Sequence, residues 1–322
     1  MSWDKQEARE RKHNRFASSW LERLRSSWEQ RFPACTLPQC PHSGKLRLQP
    51  RLHGTFLNDA WYCSELCFDL AIQSAFHTTA VGKVPSPSHR LPLGLILLSR
   101  QQITSEQLCL ALARQNAQGR GLIGFWLQEL GYIRERDILS ALSLQCSCPV
   151  ISVLGLSLDQ CLGILPTALI LDLRLLPLQF PGKPSTIYAA FNKRVDYVAL
   201  NVIESMLNYR TEQCLISDTE MEFVLARTVE LAGPSLSGGN DVVFQESAGA
   251  EQMARLVCDY TLRLQAHTVK IAPCGSYFWV RLQNQAQFIN LLISRCRPDL
   301  SLAARPLSSS EDLTGRHFQP KI

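Results

Sequence analysis

Four cysteines near the start of the chain have the spacing of a metal centre. Cys35-x4-Cys40 and Cys63-x3-Cys67 are two close pairs separated by enough chain for a hairpin. That arrangement can bring four thiolates tetrahedrally around one Zn²⁺. The second pair lies in Trp61-Tyr62-Cys63-Ser64-Glu65-Leu66-Cys67-Phe68. Here an aromatic strand end is predicted to run into a helix starting near Ser64, so that one pair chelates from a strand-to-helix turn. His42 and His53 would act as ligands only in place of a failing cysteine. Neither a fifth donor nor a carboxylate constellation accompanies the four, so the expected site is closed and structural, not catalytic. The finger helix from Ser64 to Ser74 carries Glu65 and Asp69 and no Lys or Arg, which disfavours a nucleic-acid-reading finger. The other eight of the twelve cysteines mostly sit inside apolar patterns and are expected to be ordinary buried thiols.

A second constellation is written twice. A shift of thirty places aligns Arg90 with Arg120, Leu93 with Ile123, Gly94 with Gly124, Leu97 with Leu127 and Ile103 with Ile133. The register continues through Leu108 with Ile138, Ala111 with Ala141, Leu112 with Leu142 and Gln115 with Gln145. Each copy is predicted to be a short helix, a turn and a longer helix. Thr104 and Gln107 supply a capping box in the first copy, whereas Arg134 occupies the capping place in the second. Glycine at 94 and 124 permits close approach, by a neighbouring helix or by a ligand.

This repeat, with Leu-Gly-x2-Leu-x5-Ile-x4-Leu-x3-Leu-x2-Gln in the first copy and close equivalents in the second, resembles the amino-terminal domain of the type II secretion and type IV pilus assembly ATPases, often called type II secretion system protein E. The resemblance covers roughly 90–227. It continues through Gln145-Cys146-Ser147-Cys148-Pro149-Val150, Ile164-Leu165-Pro166, Leu175-Leu176-Pro177-Leu178 and Ile187-Tyr188-Ala189-Ala190-Phe191. It implies a repeat able to bind cyclic di-GMP, with an arginine just before each Leu-Gly holding a guanine, as a planar bidentate donor suits a guanine edge. Pro92 and Leu122 stand in those two places here. Arg90 and Arg120 lie two residues earlier and are the available substitutes. The ligand set carried over is therefore Arg90, Leu93, Gly94, Leu97, Arg120, Ile123, Gly124 and Leu127.

The motors of that family need a G-x-x-x-x-G-K-[ST] phosphate loop, and this chain has none. The nearest fragment, Gly182-Lys183-Pro184-Ser185, lacks the upstream glycine and places proline after lysine. No nucleophile elbow and no paired-histidine zinc-protease helix is present either. The segment Ala266–Pro273 faintly resembles the part that precedes the motor in those ATPases.

At 322 residues with 46% hydrophobic content, the chain can bury several cores. The balance of 33 Lys+Arg against 28 Asp+Glu gives only +5, too mild to demand a nucleic-acid partner. The amino-terminal residues lack a secretory pattern, and no apolar run reaches about 18 residues. A cytoplasmic protein with no membrane span is expected.

The expected class is α+β. A polar helix over 1–32 carries an aromatic stripe of Phe16, Trp20, Leu24 and Trp28, followed by a zinc finger over 33–77 and a linker over 78–89. A secretion-protein-like domain spans 90–232, divided into the tandem helical repeat (90–148) and an α/β subdomain (149–232). A second linker over 233–240, a small α+β unit over 241–297 and a disordered tail over 298–322 complete the chain. In the last unit the pattern predicts a helix, two strands, and a closing helix at Gln285–Arg295. The function expected is that of a non-enzymatic regulatory or adaptor protein docking on a secretion or pilus assembly component, such as a motor ATPase. The alternatives are a cyclic di-GMP receptor and a zinc-finger nucleic-acid binder.

Overall fold

Hydrophobic periodicity divides the chain into the elements seen in its structure, a computed structural model that describes residues 34–41, 54–77, 90–156, 162–180, 182–232, 239–244 and 249–295. The polar helix, the 78–89 linker, most of the 233–240 linker, the tail, His42 and His53 lie outside the described residues. Helices and strands mix as an α+β fold.

Two short strands, β1 (Thr55–Leu57) and β2 (Ala60–Tyr62), form a hairpin that leads into α1 (Glu65–His77). The repeat contributes α2 (Leu93–Ser99), α3 (Ser105–Gln118), α4 (Ile123–Glu129) and α5 (Glu135–Cys146). Each second-copy helix begins thirty residues after its counterpart. The backbone repeats as well. Gln102 donates to the Leu97 carbonyl and Tyr132 to the Leu127 carbonyl, both at 3.0 Å, with Gln101 and Gly131 in the left-handed region. Leu97 and Leu127 are fully buried, as are Ala111 and Ala141. Each copy also ties down the start of the other: the Gln115 side-chain amide donates to the Gly121 carbonyl at 2.8 Å, and that of Gln145 to the Leu91 carbonyl at 2.7 Å. The Thr104–Gln107 capping box forms, and Arg134 makes no side-chain cap.

The α/β subdomain comprises α6 (Thr167–Leu173), β3 (Leu176–Leu178), β4 (Thr186–Phe191), α7 (Tyr197–Leu207), β5 (Arg210–Leu215) and α8 (Asp218–Ala232). Its sheet has the order β3-β4-β5, with β4 and β5 parallel. The apolar run at 150–154 contributes only an isolated bridge from Val150 to Leu215. Glu220 ties this run to the start of α8. Its carboxylate accepts from the Ser152 hydroxyl at 2.6 Å, the Val153 amide at 3.1 Å and the Ser217 hydroxyl at 2.9 Å. Burial opposes ionisation of Glu220, but these donors win and hold it below the ordinary value of 4.5. A carboxyl depressed in the folded state adds stability above its unfolded value and loses it as pH falls through the folded one. Glu220→Gln should therefore cost no more than about 1 kcal/mol at pH 7, since solvent screens a partly exposed carboxylate, and urea unfolding should show the gap to the parent chain closing as pH drops well below 4.5. A gap that is constant with pH would contradict this.

The remaining elements are β6 (Asp241–Phe244), α9 (Ala250–Leu264), β7 (Thr268–Cys274), β8 (Tyr277–Gln283) and β9 (Phe288–Ser294). The helix expected at Gln285–Arg295 is instead strand β9. The side chain of Asn284 accepts from the Ala286 and Gln287 amides at 2.8 and 2.7 Å and turns the chain back. Leu291, Leu292 and Ile293 are all buried because both faces of the strand are covered. Such a strand appears in sequence as an unbroken apolar run, not an alternation.

The finger and the last unit, treated separately in the sequence, share one six-stranded sheet of order β2-β1-β7-β8-β9-β6. β1 runs parallel to β7. Asn58, in the β1–β2 turn, uses its side chain as a strand residue would, donating to the Ile271 carbonyl and accepting from the Ile271 amide. One face packs Phe68, Ile72 and Phe76 of α1 with Val257 of α9, against Val280 and Ile293. Trp279 and Leu292 face the other way, into the α/β core. No helix among the described residues is long and apolar enough to cross a membrane.

Candidate functional site

The four expected cysteine ligands converge. The Sγ atoms of Cys35, Cys40, Cys63 and Cys67 all lie within 4.8 Å of one another. The separations Cys40–Cys63, Cys40–Cys67 and Cys63–Cys67 are 3.5, 3.8 and 3.9 Å. Metal–sulfur bonds of about 2.3 Å in a tetrahedron place sulfurs roughly 3.8 Å apart, so the cluster has the dimensions to hold a metal ion. The local sequence accounts for the convergence: the Thr36 amide donates to the Trp61 carbonyl at 2.9 Å, laying the first cysteine loop on β2. A Cβ at Gly54 would sit 2.4 Å from the Trp61 ring, so glycine lets that ring pack against the backbone that leads into β1. Burial first, then the neighbouring thiols, pushes the Cys63 thiol up to about 12. A bound cation reverses that preference, since thiolates are the ligands.

The repeat-borne candidates divide. Leu93, Arg120 and Gly124 line an open cleft of about 470 Å³. Gly94, Leu97 and Leu127 are buried inside the repeat. A Cβ on Gly94 would meet Leu108 at 2.8 Å, and one on Gly124 would meet Ile138 and Leu93 at 3.3 Å, so both glycines serve helix packing. Ile123 packs against the same core. Arg90 is elsewhere: its guanidinium donates to the Tyr197 hydroxyl, lies 4.9 Å from that ring's centroid, and sits 3.6 Å from the Cys146 sulfur. The two arginines are equivalent in sequence but not in structure.

Sequence reasoning missed the far wall of the cleft. Asn192 and Lys193 follow β4, and Ser217 and Asp218 follow β5, so the cleft lies at the carboxyl ends of two parallel strands. That is the crevice in which open α/β sheets bind ligands. The residues directly after the apolar runs ending at Phe191 and Ile216 were the available signal. On the repeat side Phe125 is half exposed and packs edge-on against Trp126 at 5.2 Å. The Trp126 indole donates to the Arg120 carbonyl at 3.0 Å. The acidic side chains are engaged: Asp218 accepts from Asn192 at 2.8 Å and pairs with Lys193 at 3.5 Å, while Glu135 accepts from the Thr219 amide and hydroxyl at 3.1 and 2.9 Å.

The solved structures similar to this chain include those of MshE and XpsE. One, the structure of MshE with cyclic di-GMP, is 25% identical and covers 44% of this chain and 100% of its own, with a TM-score of 0.38. The other, the N-terminal domain of XpsE, is 18% identical and covers 42% of this chain and 92% of its own, with a TM-score of 0.33. No protein-family model and no curated protein matches the chain.

Proposed function

We propose that this chain is a cytoplasmic, non-catalytic regulatory adaptor of the secretion and pilus machinery, with zinc in its cysteine centre and cyclic di-GMP in the cleft. The cleft carries the reading. An aromatic and aliphatic wall meets Arg120 at the carboxyl ends of β4 and β5, and its volume is that of a small-molecule site. General acid–base chemistry needs a proton-transfer group free to reach the substrate. Here both acids are committed to neighbours, which supports recognition without turnover. A guanidinium fits the acceptor edge of guanine, and Phe125 offers a ring on which a base can stack. Four sulfurs at tetrahedral spacing support zinc held structurally. On the exposed side of the repeat, Leu91, Leu95 and Leu144 are each more than half exposed. That surface suits docking on a secretion or pilus component, including a motor ATPase. The finger helix has one acidic residue in its first turn and no Lys or Arg along its length, which weighs against nucleic acid.

Two variants test the cleft. Arg120→Ala and Phe125→Ala should each weaken cyclic di-GMP binding about tenfold or more, a loss of roughly 1.4 kcal/mol or above. Arg90→Ala should leave affinity within about twofold, because that side chain is held by Tyr197 away from the cleft. Equal losses for Arg90 and Arg120 would place the ligand elsewhere. Docking is tested by co-purification with a secretion or pilus motor ATPase, and a Leu95→Asp chain that still co-purifies fully would remove the repeat surface from the interface.

A further inference from the structure

A pair of thiols outside both sites has an environment of its own. Cys146 ends α5, Ser147 turns through the left-handed region (φ 52), and the Cys148 amide donates back to the Ser143 carbonyl at 3.2 Å. The turn sets the two cysteines on either side of Ser147 at the end of α5, so each influences the other's titration. Both are shielded, 7% and 5% exposed, under the half-buried Arg90, whose guanidinium stands 3.6 Å from the Cys146 sulfur. Elsewhere Cys214 is wholly enclosed, and Cys258 lies 3.8 Å from the Asp69 carboxylate.

We propose that Cys146 and Cys148 form a hydroperoxide-reactive dithiol, with Cys146 the attacking sulfur and Cys148 the resolving one. The neighbouring Cys148 thiol, then the Arg90 guanidinium, brings Cys146 down to about 7 against the effect of burial. Cys148 is pushed upward, so the pair holds one thiolate and one thiol near neutral pH. The thiolate attacks one oxygen of the hydroperoxide and the O–O bond breaks. Cys146 is oxidised by two electrons to the sulfenic acid, and the departing oxygen takes up the proton Cys146 had released, leaving as water or an alcohol. Cys148 sulfur then attacks the Cys146 sulfur, the S–O bond breaks, and hydroxide leaves as water with the Cys148 proton. Two thiols and one hydroperoxide give one disulfide, one water and one water or alcohol.

The test treats the full, metal-loaded, reduced chain with hydrogen peroxide at pH 6, followed by denaturation, alkylation and peptide mass mapping. The expected product is a 146–148 peptide lighter by two hydrogens and resistant to alkylation, while Cys214 and Cys258 remain alkylatable. Arg90→Gln should slow its formation about tenfold, since below the pKa each unit of increase removes tenfold of the thiolate. In a folded Cys148→Ser chain, dimedone should label Cys146. Cys146 and Cys148 both alkylated after doses that oxidise the exposed Cys109 would overturn the proposal, and so would an unchanged rate in Arg90→Gln.

Discussion

Stripping a metal bound by the four cysteines should unfold far more than the finger. β1 is hydrogen-bonded to β7, Asn58 is bonded to both backbone groups of Ile271, and Phe76 of α1 meets Phe278 of β8 edge-on at 5.0 Å. The segment that a metal there would fold is one edge and one covering helix of the six-stranded sheet. Structural zinc contributes about 10–16 kcal/mol to the folding of isolated fingers, and β1 and β2, three residues each, cannot stand alone. Chelation, or Cys67→Ser, should expose the face now formed by Val280 and Ile293 and lower the melting temperature by tens of degrees. Cys109→Ser, at an exposed position, should leave it unchanged. Circular dichroism with metal release followed in parallel gives the answer. A melting curve unmoved after full metal loss would mean that the sheet folds without the finger.

The second large effect concerns the repeat. Leu97 and Leu127 occupy equivalent positions and are both fully buried in a small core shared by the two copies. Truncating a buried leucine to alanine costs about 2–5 kcal/mol, part transfer and part cavity. Leu97→Ala and Leu127→Ala should each fall in that range, with similar values. Because both side chains belong to one core, the double variant should depart from additivity by at least ~0.5 kcal/mol. Urea titrations measure all three. A loss confined to one site, with the other near zero, would show that the copies are not equivalent in packing.

Parts of this architecture are legible in the chain because local physics fixes residue type and spacing together. Four sulfurs able to hold one ion must sit at tetrahedral distances, so Cys35, Cys40, Cys63 and Cys67 stand out by their spacing. The thirty-residue shift exposes the repeat because each copy needs the same buried Leu, Ile and Ala. Other parts leave no local trace. Asn58 and Ile271 are 213 residues apart, and nothing near either reveals a parallel pairing between their strands. β9 was misread because burial on both faces removes the alternation that marks a strand. The cleft was half legible: Leu93, Arg120 and Gly124 came from the repeat, whereas Asn192, Lys193 and Asp218 join it through the ends of β4 and β5. Arg90 is the twin of Arg120 in sequence, but Tyr197, more than a hundred residues on, holds it elsewhere.

Calorimetric titration of cyclic di-GMP into the full, metal-loaded chain tests the central claim most directly. Saturable binding at one site is expected, with Kd below about 100 μM (roughly −5.5 kcal/mol), weakened about tenfold by Arg120→Ala and unaffected by Arg90→Ala. No heat of binding at that concentration, with the parent chain folded, would contradict it.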